Sequence, residues 1–428
     1  MYARTLAPGF EIRISDRDVE VLRRLAGEIA HTATLPEQER NRRYWENVND
    51  NRKGSIAFMI RDDEIPWHEL EGFDELALRC SDPFSRSVEQ EFRRTLFQWR
   101  RCPCDMVVEP YLRSGLVIID TGFGVSPRQT TIRQGEGNAV NAQHYEPVIC
   151  DESDILKIAD PVVSHNAELS EALFGVRTDL FGDILRVWKC GVYFSYTAPL
   201  DDLVRLWGPE RLLMDLVDRP DFVHAAIDRY IGAWMARLRQ YEEQNLLAYD
   251  EGGYAVGSGG YGYTGDLPGS GYDPSRPRLK NQWGFAAAQL FGSVSPAMHD
   301  DFGLRHEIPM LSLFGLSYYG CCEPLHGKIH ILRKIPNLRK ISISPWADMR
   351  KAAENIGGDY VLSIKPNPAI FAGHWDPEKA RKELEETLSV TRGCAVEIIM
   401  KDISTVVRRP DRLFEWSRIA MEAAGRYR

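Results

Sequence analysis

The feature that most constrains this chain is an alternation that begins near Ser55. Short runs that are apolar throughout are separated by longer stretches in which apolar residues recur three to four apart. A short continuous apolar run suits a strand buried on both faces, and a 3.6-residue period suits an amphipathic helix, so the chain reads as repeated β-α units around a parallel sheet. The runs are Ile56 to Ile60, Met106 to Glu109 (with Leu116 to Asp120 as a pairing partner), Ile184 to Trp188, Leu246 to Asp250, Met310 to Phe314, Lys340 to Ser344, Tyr360 to Ile364 and Val396 to Met400. Helical patterns between them cover Pro199 to Trp207, Pro220 to Gln244, Ala347 to Ile356, Pro377 to Leu388 and Pro410 to Ala424. Proline after Asp376 and Arg409 falls at a first helical position, where its missing N–H costs nothing.

Eight such runs in 428 residues fit an α/β fold of the closed (β/α)8 TIM-barrel kind. An open doubly wound sheet is the alternative, but the glycine fingerprint of a nucleotide site is missing. Residues 1–54 read differently. They are rich in Arg, Glu and Asp, with helical spacing through Asp16 to Leu25, and are expected to form a helical N-terminal extension to a barrel over 55–428.

The formal charge of -9 argues against a nucleic-acid surface, which needs a basic stripe. No apolar stretch approaches the ~20 residues that span a bilayer, and Met1 to Pro8 lack the apolar core of a signal peptide, so a cytoplasmic protein without membrane contact is expected. Eight cysteines are too sparse for a disulfide scaffold in a chain of this length. Cys102 and Cys104 have no second pair to complete a metal motif and read as structural. His144 suggests no role.

In a barrel the carboxyl ends of all strands meet at one face. Three runs end there in polar groups: Asp250-Glu251, Lys365 and Lys401-Asp402. A fourth position is Tyr318-Tyr319-Gly320-Cys321-Cys322-Glu323-Pro324-Leu325-His326, which sets two thiols, a carboxylate and an imidazole at the end of an apolar run. Cys321, Cys322, Glu323 and His326, with Asp402 as a further donor, offer the mixed sulfur, nitrogen and oxygen set that zinc accepts. On a strand Cys321 and Glu323 face one side and Cys322 the other, so using all three needs a backbone break, expected at Pro324. The bland reading is two buried thiols beside a strand end and a histidine at a helix start. Lys365 and Lys401 would orient an anionic substrate, while Asp250, Glu251 and Asp402 would move protons or complete the metal's shell; the bland reading of each lysine alone is a solvated or ion-paired barrel residue.

Residues 252–273 include a run nearly half glycine, punctuated by Tyr254, Tyr261 and Tyr263. Directly after a strand, it reads as a substrate lid with an aromatic contact surface, or else as an exposed linker. With Trp283, Trp346 and His299, those tyrosines would suit an aromatic substrate.

Two stretches resemble the uroporphyrinogen decarboxylase superfamily, a (β/α)8 group that includes zinc- and corrinoid-linked methyltransferases and is distantly similar to cobalamin-independent methionine synthase. Ile56 to Pro66 is similar to the family's first barrel strand, but Arg61-Asp62-Asp63-Glu64 stands where the decarboxylases carry Arg-Gln-Ala-Gly-Arg. That departure removes the arginine pair expected to hold a tetrapyrrole's carboxylates. Ile341 to Met349 followed by Gly358 to Pro368 resembles the strand-helix-strand of the methyltransferase branch. That branch places a His-x-Cys zinc pair on the preceding strand and another Cys near the last one. Cys322 matches the strand cysteine, Gly320 stands in place of the histidine, Cys394 comes too early, and Lys401-Asp402 occupies the last position.

The resemblance implies a methyltransferase that moves a methyl group between a small donor, such as a methoxylated aromatic or a methylamine, and a corrinoid protein. Zinc would assist O-demethylation as a Lewis acid. No Asp-x-His-x-x-Gly run places an imidazole under cobalt, so cobalamin would come only on a partner protein. A homodimer is in keeping with the superfamily. The alternatives are a decarboxylase or other lyase acting on a small aromatic or heterocyclic acid, and a ligand-binding barrel without turnover.

Overall fold

The computed structural model describes residues 2–7, 10–132 and 142–428. Eight strands run parallel to a neighbour: β1 (Ile56–Ile60), β2 (Tyr111–Gly115), β3 (Arg186–Cys190), β4 (Trp283–Ala286), β5 (Leu316–Tyr319), β6 (Leu338–Ile343), β7 (Val361–Ile364) and β8 (Val396–Met400). Six of them form one sheet in the order β4-β5-β6-β7-β8-β1, so the last strand pairs with the first, Val396 opposite Ile56 and Met400 opposite Ile60. β2 and β3 form a separate parallel pair, and Val192, just past β3, bridges to Leu247. The chain is therefore a mixed α/β protein built on a parallel sheet.

The strands are apolar throughout because both faces are covered. Phe58, Ile60, Ile341, Ile343, Leu362, Ile364, Ile398 and Met400 pack against helix residues such as Leu384, Leu388, Trp416 and Ile419. On the opposite face Ala57, Met59, Val361 and Ile399 meet Trp45, Tyr261 and Tyr263, while Trp283, Phe285, Leu316 and Tyr318 meet Tyr254 and Val256.

That second contact overturns the lid expectation. The glycine-rich segment folds back as a narrow loop with Ala255 bridged to Tyr261, and Tyr254, Tyr261 and Tyr263 are all buried. It fills the inner face of the sheet. Glycine is required by proximity: a Cβ on Gly259 would lie 2.4 Å from Glu397 Oε1, and one on Gly260 would lie 2.2 Å from the Trp45 ring. A loop read as solvent-facing from its composition is core packing.

The first 54 residues contain a two-stranded hairpin (Tyr2–Ala7 with Phe10–Ile14) before the helices α1 (Asp16–Ala33) and α2 (Pro36–Asn49). α2 is part of the core rather than an appendage. Its Asn41 side chain donates to Met106 O at 2.8 Å, Trp45 Nε1 donates to Asp105 O at 2.7 Å, and Gln38 accepts from Val108 N at 2.8 Å. Two of these bonds take up backbone groups of the Met106 to Glu109 run, which is not a strand. Asn49 Nδ2 likewise donates to Tyr261 O and Tyr263 O at 2.8 and 2.7 Å, tying α2 to the glycine loop.

Four other expectations change. Leu246 to Asp250 is not a strand and holds only the single bridge from Leu247 to Val192. Met310 belongs to a helix (Arg305–Leu311, with Pro309 inside it), and the strand is Leu316–Tyr319, because a short buried apolar run carries no period that separates helix from strand. Trp283 lies in a strand that was not anticipated, and Ile118–Asp120 pairs antiparallel with Val163–His165. Among the described residues, no helix is long and apolar enough to cross a membrane.

Candidate functional site

The carboxyl ends of β1, β5 and β8 bring together the residues at the centre of the site. Past β5, Gly320 adopts φ +95°, a left-handed turn that breaks the strand just before the cysteines. The break falls at Gly320 rather than at Pro324. Strand alternation therefore ends at Tyr319, and the Cys321 and Cys322 sulfurs lie side by side at 3.6 Å. Past β8, Lys401 reaches toward the same point: its Nζ lies 3.9 Å from Cys321 Sγ and 2.6 Å from Asp402 Oδ2. Asp402 is itself held at φ +57°, with its N–H donating to Glu64 from the turn after β1.

The thiol pair is electrostatically asymmetric. The contact with Cys322 and the nearby Lys401 ammonium hold Cys321 below the usual thiol range despite its burial. Cys322 is pushed well up by the same contact and by burial. Burial works against the Lys401 charge, but the Cys321 thiolate and the carboxylates of Glu64 and Asp402 more than offset it, and Lys401 is held firmly protonated. The centre is thus two neighbouring thiol sulfurs beside a lysine ammonium.

The other proposed ligands do not join it. Glu323 is buried and turned toward the backbone, accepting from Cys321 N at 2.8 Å and Ala288 N at 3.3 Å. His326 accepts through its backbone carbonyl from Asn355, and its Nδ1 is buried without a partner. The sulfur separation is close to the ~3.7 Å that two thiolates on one tetrahedral zinc would span. Yet among the described residues no three His, Cys, Asp or Glu side chains are gathered as a metal site, and Lys401 supplies positive charge at that point. As arranged, the residues do not fit a zinc centre.

Lys365 lies deeper. It is buried, donating to Tyr318 OH and, at 2.9 and 2.7 Å, to the carbonyl and hydroxyl of Ser363. Tyr318 OH donates to Ser363 Oγ at 2.9 Å, Ser363 donates to Glu397 Oε1 at 2.5 Å, and Glu397 pairs with Lys340 at 2.8 Å. Ser258 of the glycine loop completes the network, 3.0 Å from Tyr318 OH. Burial pulls the Lys365 ammonium down to about 7.

Asp250 is spent on Arg113 Nε at 2.8 Å and on Tyr111 OH at 3.0 Å, and Glu251 is exposed. Tyr254, Tyr261, Tyr263 and Trp283 are buried because the glycine loop turns inward, and Tyr254 and Tyr261 line an inner cavity of about 340 Å³ with Glu109, Tyr111 and Arg113. His299 is fully buried between Tyr319 OH at 2.7 Å and Lys328 at 3.3 Å, and burial drops it to about 3. Trp346, at 71% exposure, is the one proposed aromatic contact that faces solvent.

Sequence reading missed Glu64, Asp201, Tyr196, Tyr318 and Glu397. Glu397 carried a signal, a single acid inside an otherwise apolar run. Tyr196 carried none, since its position is set by the loop after β3, and Asp201 is one of two adjacent acids in the first turn of the helix Pro199–Trp207, a pattern that a solvated helix start shares.

No protein-family model matches the chain, and no curated protein matches it. Among solved structures, a methyltransferase from Methanosarcina mazei is similar over 79% of this chain and 85% of its own, with 12% identity and a TM-score of 0.45. At that level the likeness carries no argument about activity.

Proposed function

We propose that this chain is a methyltransferase that moves a methyl group between a small donor and a corrinoid held by a separate protein. The reading joins the resemblance of Cys321 to Pro368 to one observation: two sulfurs 3.6 Å apart with the Lys401 ammonium 3.9 Å from Cys321, at the strands' carboxyl ends. In the same reading, the six-stranded sheet, the β2–β3 pair and the Leu246 to Asp250 segment are successive arcs of one (β/α)8-type barrel, with the site at its usual face.

Demethylating a methoxy group breaks a carbon–oxygen bond, and the departing oxygen takes up negative charge. The docked corrinoid protein supplies the methyl acceptor. The Lys401 ammonium, kept charged by Cys321, Glu64 and Asp402, would stabilise the charge on that oxygen. Cys322, half-buried and still protonated, is the exposed member of the pair. No step is assigned to a metal.

No observation favours the lyase alternative. Arg61, the one arginine of that turn, is engaged by Asp63 at 2.7 Å and by Gly257 O at 2.8 Å, which leaves no arginine pair for substrate carboxylates.

The test is methyl transfer from a panel of methoxylated phenols and methylamines to a reduced corrinoid protein, followed by the visible spectrum of the cobalt. Transfer by the wild type that falls at least a hundredfold in Lys401→Met and Cys321→Ala supports the reading. Absence of transfer across the panel, or transfer unchanged in both variants, overturns it.

A further inference from the structure

A cleft of about 570 Å³, within the range of small-molecule sites, opens between the segment after β3 and the helix Pro220–Glu243. Its walls are Tyr196, Ala198, Trp234 and Leu290, and its polar edge includes Asp201 and Gln289. Two observations connect it to the site. Ala198 belongs to the same packed cluster as Cys321 and Cys322. Tyr196, whose phenol is pushed up chiefly by burial, also feels the Cys321 and Cys322 sulfurs.

The wall is apolar yet open. Tyr196 is 51% exposed, while its ring is held by Phe285 at a centroid separation of 4.3 Å, so it offers a fixed aromatic surface that no side chain covers. Asp201 is oriented by a single residue: Gln289 donates to Oδ1 from its backbone N–H at 2.9 Å and to Oδ2 from Nε2 at 2.7 Å. Each carboxylate oxygen keeps a second lone pair. The neighbouring acid, Asp202, is already taken by Arg205 and, at 3.3 Å, by Tyr230 OH. The cleft therefore presents aromatic surface and one aimed acceptor.

We propose that this cleft binds a single-ring phenol, with the ring packed between Tyr196 and Trp234 and the hydroxyl donating to Asp201. The methyl-transfer role of such a ligand rests on the function proposed above; its binding does not. Asp201 and Trp234 are then specificity-determining residues, and the tyrosines of the glycine loop are not.

The experiment is calorimetric titration of the full-length protein with 2-methoxyphenol and with methoxybenzene, which lacks the hydroxyl. The wild type should bind 2-methoxyphenol at least tenfold more tightly than methoxybenzene. Asp201→Asn, which keeps shape but loses the charged acceptor, should reduce that preference at least threefold. Trp234→Leu should weaken both ligands about tenfold, and Cys321→Ala should leave binding unchanged. No binding of 2-methoxyphenol, or equal binding in wild type, Asp201→Asn and Trp234→Leu, overturns the proposal. If binding follows the expected pattern while the corrinoid assay gives no transfer, this site stands and the methyltransferase reading falls.

Discussion

The ammonium of Lys340 and the carboxylate of Glu397 meet at 2.8 Å with neither side chain exposed to solvent. Glu397 also accepts from Ser363 and, at 3.3 Å, from Gly260 N, so one buried acid ties β6, β7 and β8 to the glycine loop. Breaking such a pair leaves an uncompensated buried charge. Glu397→Gln is expected to destabilise the protein by roughly 3–5 kcal/mol, and adding Lys340→Met should recover a large part of that loss. Urea unfolding of the single and double variants measures both; equal instability of the two would contradict the ion-pair account.

The glycine loop makes a steric prediction. A methyl at Gly260 would meet Trp45 ring carbons at 2.2 and 2.3 Å, and a packed indole has nowhere to move. Gly260→Ala should cost about 3 kcal/mol, the upper end for overpacking. Gly27 in α1 is the control, because nothing lies within 4 Å of its Cβ position. Gly27→Ala should stabilise by up to ~1 kcal/mol through helix propensity. Thermal melts would show shifts of opposite sign.

Ionisation of the thiol pair is observable through thiolate absorbance at 240 nm. Wild type minus Cys321→Ala should show a transition below the ordinary thiol range, because Cys322 and Lys401 favour the Cys321 thiolate. Lys401→Met should move that transition up by about one pH unit, the smaller effect expected of an opposite charge at this range. An unmoved transition would mean that the lysine does not act on the sulfur.

Lys365 makes stability depend on pH. Its folded value is about 7, whereas an unfolded lysine titrates near 10.4. Between those values the unfolded chain holds a proton that the folded protein does not, so stability rises with pH, by at most about 1.4 kcal/mol per pH unit. The burial penalty is fully present below pH 7 and is relieved above it. Lys365→Met should be more stable than wild type at pH 6, and its gain from pH 7 to 9 should be smaller. Chemical denaturation at pH 6, 7, 8 and 9 checks the sign; a wild type that loses stability across that window would reject it.

Amino-acid order by itself determined the periodic elements. β1 and β8 run over Ile56–Ile60 and Val396–Met400, and a helix runs over Pro199–Trp207, each as the spacing of apolar residues and prolines indicates. It also marked Cys321, Cys322, Lys401 and Asp402 as polar groups at strand ends, and these are the four that the fold brings into contact. Periodicity is local, so it carries to any chain that buries these faces. What lay between the elements was decided only by tertiary structure. The glycine loop has the composition of a mobile surface segment, yet Trp45 and Asn49 of α2 and Glu397 of β8 draw it inside, through contacts more than 100 residues apart in sequence. The left-handed turn at Gly320 set the two sulfurs side by side, and the loop after β3 brought Tyr196 toward them. Those positions depend on which distant surfaces meet, and no local pattern encodes that.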